Sequence, residues 1–130
     1  GFHARLPLDR EWRALASLDE PVGAAPTAWR AAEPSRQGPY RAGSMQGASG
    51  LYDMIGNLWE LTATWYRPGA QAIGLPELSD AERSLPGAEV VVRGGSWISP
   101  RAGLESAGLQ AAELTSPVVG FRLVLIDEDR

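Results

Sequence analysis

No cysteine occurs among the 130 residues, an absence that removes disulfides, thiolate metal sites and cysteine nucleophiles together. Lysine is missing as well, so all twelve basic side chains are arginine, a bias in keeping with a GC-rich genome. His3 is the single histidine, which leaves no second imidazole for a two-histidine iron site or to act as base for a serine nucleophile. No apolar run approaches the ~20 residues of a membrane helix, and Gly1-Phe2-His3-Ala4-Arg5 lacks the apolar core of a secretory signal. A net charge of -4 and a pI near 5.0 provide no basic face for a phosphate backbone. Neither a nucleic acid nor a membrane is therefore an expected partner, and no catalytic residue is assigned.

What remains is an ordinary globular composition, 44% hydrophobic and 22% charged, in a chain long enough for one core. A single domain over residues 1–130 is expected. Leu8, Trp12, Leu15 and Ala16 recur at helical spacing after Pro7, with Asp9 in the first turn, which predicts a short amphipathic helix near residues 8 to 17. From Asp19 to Ser49 prolines and glycines break every periodicity, so long loops are expected, pinned by Trp29 and Tyr40.

Further on, Gly56-Asn57 is a turn signal before Leu58-Trp59-Glu60-Leu61-Thr62, whose alternation predicts a strand with Trp59 and Leu61 on one face. Val90 to Arg93 predicts another, ended by Gly94-Gly95, and Val118 to Ile126 a third with Phe121, Leu123 and Leu125 alternating against Arg122 and Val124. Residues 98 to 117 are expected as an irregular connection, and Asp127-Glu128-Asp129 as a solvated tail. Strands joined by long loops, with one short helix, give an α+β class.

Three ordered segments carry a resemblance: Arg5-Leu6-Pro7 with Glu11-Trp12, the run Gly50-Leu51-Tyr52-Asp53-Met54-Ile55-Gly56-Asn57-Leu58-Trp59-Glu60, and Arg93-Gly94-Gly95-Ser96-Trp97 with Gly120-Phe121-Arg122. Together they resemble the later part of the formylglycine-generating-enzyme, or sulfatase-modifying-factor, superfamily. The resemblance implies a C-type lectin-like fold with little regular secondary structure. It also implies that the family's N-terminal portion is absent here. A strand near 120 to 126 then needs a partner: a segment supplying that portion, a self-association surface, or, in a minimal version of the domain, a different pairing.

The family's oxidases hold copper with two cysteines shortly after the Gly-Gly-Ser-aromatic turn. Those places fall near Ser99 and Leu104, neither of them a soft ligand, so no copper is expected. The resemblance also implies a structural calcium at Asp53, Glu60 and the carbonyls of Gly56 and Leu58. The competing reading pairs Glu60 with an arginine such as Arg93 or Arg122 while Asp53 caps a turn. Trp59, Trp65 and Trp97 are candidates for an aromatic cleft, with core packing the commoner role.

Between intact scaffold motifs, residues 98 to 119 lack the arginine- and aromatic-rich stretch of the family's enzymes; Arg101 is the one cation left. That pattern resembles the variable proteins of diversity-generating retroelements, whose diversified segment precedes Gly-Phe-Arg. The absence of asparagine from 98 to 119 agrees with replaced adenine-rich codons, and agrees as well with drift in a GC-rich genome. The expected ligand-binding residues are Trp97, Ile98, Ser99, Arg101, Ala102, Leu104, Ser106, Gly108 and Leu109, facing a protein or other macromolecule. The alternatives are a catalytically inactive scaffold domain, or part of an enzyme whose active residues lie on another segment.

Overall fold

The computed structural model describes residues 1–18, 37–67, 78–98, 106–109 and 113–130. Eight elements follow one another: β1 (Phe2–Arg5), α1 (Asp9–Ala16), β2 (Trp59–Tyr66), α2 (Asp80–Arg83), β3 (Glu89–Arg93), β4 (Ser106–Leu109), β5 (Val119–Phe121) and β6 (Val124–Asp127). A four-stranded sheet has the order β4-β3-β2-β5, and β1 pairs with β6 in a separate two-stranded sheet. The class is α+β. Within the main sheet β2 runs antiparallel to β3 but parallel to β5, so the two edges of β2 face strands of opposite sense.

The helix forms where its spacing predicts, and its buried stripe is Asp9, Trp12 and Ala16. Glu11 closes its first turn by accepting from the Leu8 N–H at 2.8 Å while taking two hydrogen bonds from Arg5, at 2.8 and 2.7 Å. Those Arg5 bonds hold the Glu11 carboxyl at about 2, well below the usual carboxylate range. Trp12, Ala16, Met54 and Ile55 form one buried cluster, with Leu51 packed against it. Truncating a side chain such as Trp12 to alanine costs about 3–5 kcal/mol.

Sheet and helix meet through polar groups. Along β2 it is Glu60, Thr62 and Thr64 that are buried, whereas Trp59 and Leu61 share a face, as expected, and are half-buried. The reason lies in α1: the Trp12 indole donates to Glu60 at 2.6 Å, the Asp9 N–H donates to the Thr64 hydroxyl at 3.0 Å, and the Ala63 N–H donates to the Pro7 carbonyl at 2.8 Å. Asp9 also takes a bidentate pair from Arg93, 2.6 Å from Nε and 3.0 Å from Nη2, both side chains buried.

Gly94 ends β3 with a φ of 97°, and a Cβ there would stand 2.8 Å from the Met54 carbonyl and 3.1 Å from the Trp12 ring. This close approach joins the 54–57 turn to the 94–97 turn, sealed by Gly56 N–H to Gly94 O at 2.8 Å and Trp97 N–H to Asn57 O at 2.7 Å.

Four expectations need correction. The run from Val118 to Ile126 is not one strand: Arg122 leaves the sheet to reach Glu60, so β5 pairs with β2 and β6 pairs with β1. The connection from 98 to 117 contains a strand, β4, held antiparallel on β3. The C-terminal strand takes its partner from Phe2–Arg5 of the same chain. Finally, the acidic end is tied down, with the Glu128 side chain bonded to His3 at 2.9 Å and the Glu128 N–H donating to the Gly1 carbonyl at 3.0 Å. Trp29 lies outside the described residues, while Tyr40 is held by Asn57 through its backbone N–H at 2.7 Å.

Candidate ligand-binding face

The register of the main sheet decides which side chains can meet a ligand. Leu61 stands opposite Val92, Val90 opposite Leu109, and Trp59 beside Val119, so these residues share the face turned away from α1. A cavity of about 390 Å³ opens there, floored by Trp59, Val92 and Leu109 and walled by Glu113, Thr115, Ser116, Val118 and Val119. Its size falls in the range of ligand pockets, and most of its lining is apolar with a few polar groups on one wall.

Five of the nine residues expected to bind ligand lie among the described residues. Ile98 is 54% exposed and Leu109 lines the cavity. Trp97 is half-buried and outside the cavity lining, and its indole N–H is buried with no hydrogen-bond partner among the described residues. Ser99, Arg101, Ala102 and Leu104 lie outside the described residues, and Ser106 begins β4 opposite Arg93. At Gly108 a Cβ would collide with the Tyr66 hydroxyl and the Glu89 carboxylate, so only backbone is available at this position. Tyr66 donates to Glu89 at 3.1 Å, and burial together with that carboxylate raises the Tyr66 phenol above its ordinary value.

Glu113, Thr115, Ser116, Val118 and Val119 were missing from the expected set although they belong to the 98–119 segment. The signal for them was there in Trp59 and Val92, whose alternation marks the face that the segment's end must cross.

The expected calcium ligands adopt the competing arrangement. Asp53, at a φ of 55°, accepts from the N–H groups of Gly43 at 2.7 Å, Ser44 at 3.3 Å and Met45 at 3.0 Å, which fixes the 43–45 turn. Glu60 accepts from Arg122 Nε at 2.6 Å and Nη2 at 2.5 Å besides the Trp12 indole. Burial pushes the Glu60 carboxyl up, and Arg122 works against that shift. Asp53, Leu58, Glu60 and Arg122 do line a common cavity of about 280 Å³, so a guanidinium already stands beside the carboxylate a cation would need. Both carboxylates of the expected set Asp53, Gly56, Leu58 and Glu60 thus already accept protein hydrogen bonds, and no group of three or more His, Asp or Glu side chains that could hold a metal occurs among the described residues.

The sequence pattern described as the Sulfatase-modifying factor enzyme 1-like domain matches residues 4–126. Among solved structures, Treponema denticola variable protein 1 is similar, at 25% identity and a TM-score of 0.68, over 92% of this chain and 46% of that one. A crystal structure of CarF is similar at 22% identity and a TM-score of 0.65, over 95% of this chain and 48% of that one. The chain thus spans about half the length of the solved structures it matches. Among curated proteins nothing matches. The architecture is that of a C-type lectin-like fold of the formylglycine-generating-enzyme type, with few helices and long loops.

Proposed function

Because the chain belongs to the sulfatase-modifying factor enzyme 1-like domain family, we propose that it acts as a non-catalytic module that binds a protein or other macromolecule through the face built on Trp59, Val92 and Leu109. One observation carries this reading. The cavity on that face is walled by the end of the 98–119 segment, while the scaffold turns on either side of the segment are held by hydrogen bonds to β2 and to the 54–57 turn. A rigid frame presenting a replaceable loop is what recognition by loop exchange requires. The chain has no thiol with which to perform the family's copper oxidation. The likeness to a protein named variable protein 1 supports the same reading at the level of family and fold.

The test is a display library randomised at Ile98, Leu109, Thr115 and Ser116 and selected against a set of unrelated proteins. Folded, specific binders are the expected outcome. A library in which most members fail to fold would defeat the reading. Diversification itself is read from the genome: a reverse transcriptase gene nearby, with an adenine-rich repeat of the segment encoding residues 93 to 122, is expected beside this reading frame.

A further inference from the structure

The cavity on the binding face is divided between a floor and a wall of different chemistry. Its floor of Trp59, Val92 and Leu109 is apolar and spans three neighbouring strands, β2, β3 and β4. Its wall brings a carboxylate at Glu113 and hydroxyls at Thr115 and Ser116. Glu113 and Thr115 are exposed, Trp59, Leu109 and Ser116 are half-buried, and Val92 is fully buried. The charge therefore stands at the mouth and the apolar surface lies deeper.

The wall is already held in shape. The Ser116 N–H donates to the Glu113 carbonyl at 3.1 Å, the Val119 N–H to the Ser116 carbonyl at 3.2 Å, and the Trp59 N–H to the Val118 carbonyl at 2.8 Å. These bonds fasten the wall to β2, so little of it is left to be ordered when an occupant enters.

Each class of occupant can be weighed against this lining. A purely aliphatic side chain would cover the floor but bring no partner to the polar wall. An acidic group or a phosphate would face Glu113, meet no cationic side chain among the described lining residues, and approach a chain of net charge -4. An arginine side chain suits both parts: its methylene stem covers apolar surface, its guanidinium stacks on a tryptophan ring, and its five N–H donors match the acceptors of a carboxylate and two hydroxyls. A guanidinium is also more weakly hydrated than the ammonium of lysine, so it leaves water more readily.

We infer that this cavity receives an arginine side chain of the macromolecular partner, its stem on Trp59, Val92 and Leu109 and its guanidinium at Glu113. The inference rests on the ligand-binding reading above and adds the chemistry of the contact. The floor strands accept a long side chain, and the residue at position 113 selects its charge.

The test titrates N-acetyl-arginine amide into the isotope-labelled 130-residue chain and follows the Trp59, Leu109 and Thr115 signals by nuclear magnetic resonance. A dissociation constant on the order of 1 mM is expected for a probe of this size. Its neutral isostere, N-acetyl-citrulline amide, should bind at least roughly threefold more weakly, as an ion pair at an exposed mouth allows. Glu113→Gln should erase that difference, and Glu113→Arg should turn the preference toward N-acetyl-glutamate amide. Both changes fall at an exposed position, where the fold tolerates them. Equal binding of the arginine and citrulline probes overturns the inference, as does a preference that survives Glu113→Gln, or signals that stay still at about 20 mM probe. A randomised library that folds and yields binders while the arginine probe stays idle defeats this inference alone. A library that does not fold, beside a probe that binds as expected, leaves the arginine pocket standing without loop exchange.

Discussion

The guanidinium of Arg122 grips the carboxylate of Glu60 by two hydrogen bonds, 2.6 Å from Nε and 2.5 Å from Nη2, across 62 positions of sequence. Arg122 also donates to the Tyr52 carbonyl at 2.9 Å, so one side chain ties the end of β5 to β2 and to the 52–57 turn. Removing one partner of a buried pair strands the other charge away from water. Arg122→Ala is therefore expected to lower stability by about 3–5 kcal/mol in urea unfolding, whereas the joint change Glu60→Met with Arg122→Met loses less. A single substitution costing under about 1 kcal/mol would show that the pair does not hold the sheet.

Strong acid should undo the tie that Glu11 makes with Arg5. Its folded value of about 2 lies below the ordinary 4.5, so its contribution is complete above 4.5 and is lost as pH falls toward about 2. About a third of both the Arg5 and Glu11 side chains is exposed, 34% and 33%, so water screens the pair and the contribution is set at about 1 kcal/mol. Melting temperatures of the wild type and Glu11→Gln should differ at pH 7 and converge near pH 2. A gap that persists at the acid end contradicts the assignment.

Within β4 two neighbours should respond in opposite ways. Gly108→Ala has to displace the Tyr66 ring from Glu89 and is expected to cost about 1–3 kcal/mol. In a background carrying both Tyr66→Ala and Glu89→Ala most of that cost should vanish, since both obstructing groups are gone. Leu109→Ser, at a half-buried position on the cavity floor, should cost less than Gly108→Ala while reducing the binding of any ligand selected on that face. Equal costs at the two positions would mean that β4 does not sit in this register.

Calcium should not matter to stability. Adding it at millimolar concentration, or removing it with a chelator, is expected to leave the melting temperature where it was, because both carboxylates already have donors. A rise of several degrees with calcium would mean that Asp53 and Glu60 turn from those donors to the ion.

How much of this was legible depended on what kind of signal each element leaves. Helix α1 and strand β3 announce themselves through Trp12 at helical spacing and through a β-branched run closed by Gly94-Gly95, both local features. β1 and β4 carry no such mark: Phe2-His3-Ala4-Arg5 and Ser106-Ala107-Gly108-Leu109 are strands because distant partners offer their edges. The division of 118–126 was hidden for the same reason, since nothing near Arg122 says that it will leave the sheet for Glu60. At the candidate face the segment was legible and the side chains were not. Which residues look outward follows from register, and register is settled only when β4 docks on β3.

The pairing of β1 with β6 gives the molecule an order of events. Phe2 stands opposite Asp127 and Arg5 opposite Val124, so this seam closes over more than a hundred intervening residues. Helix α1 can coil early, because its contacts are local, whereas closing so long a loop places the β1–β6 seam late in folding. Until it closes, Phe2 and Leu125 are apolar side chains on an unpaired strand, the kind of surface through which folding intermediates associate.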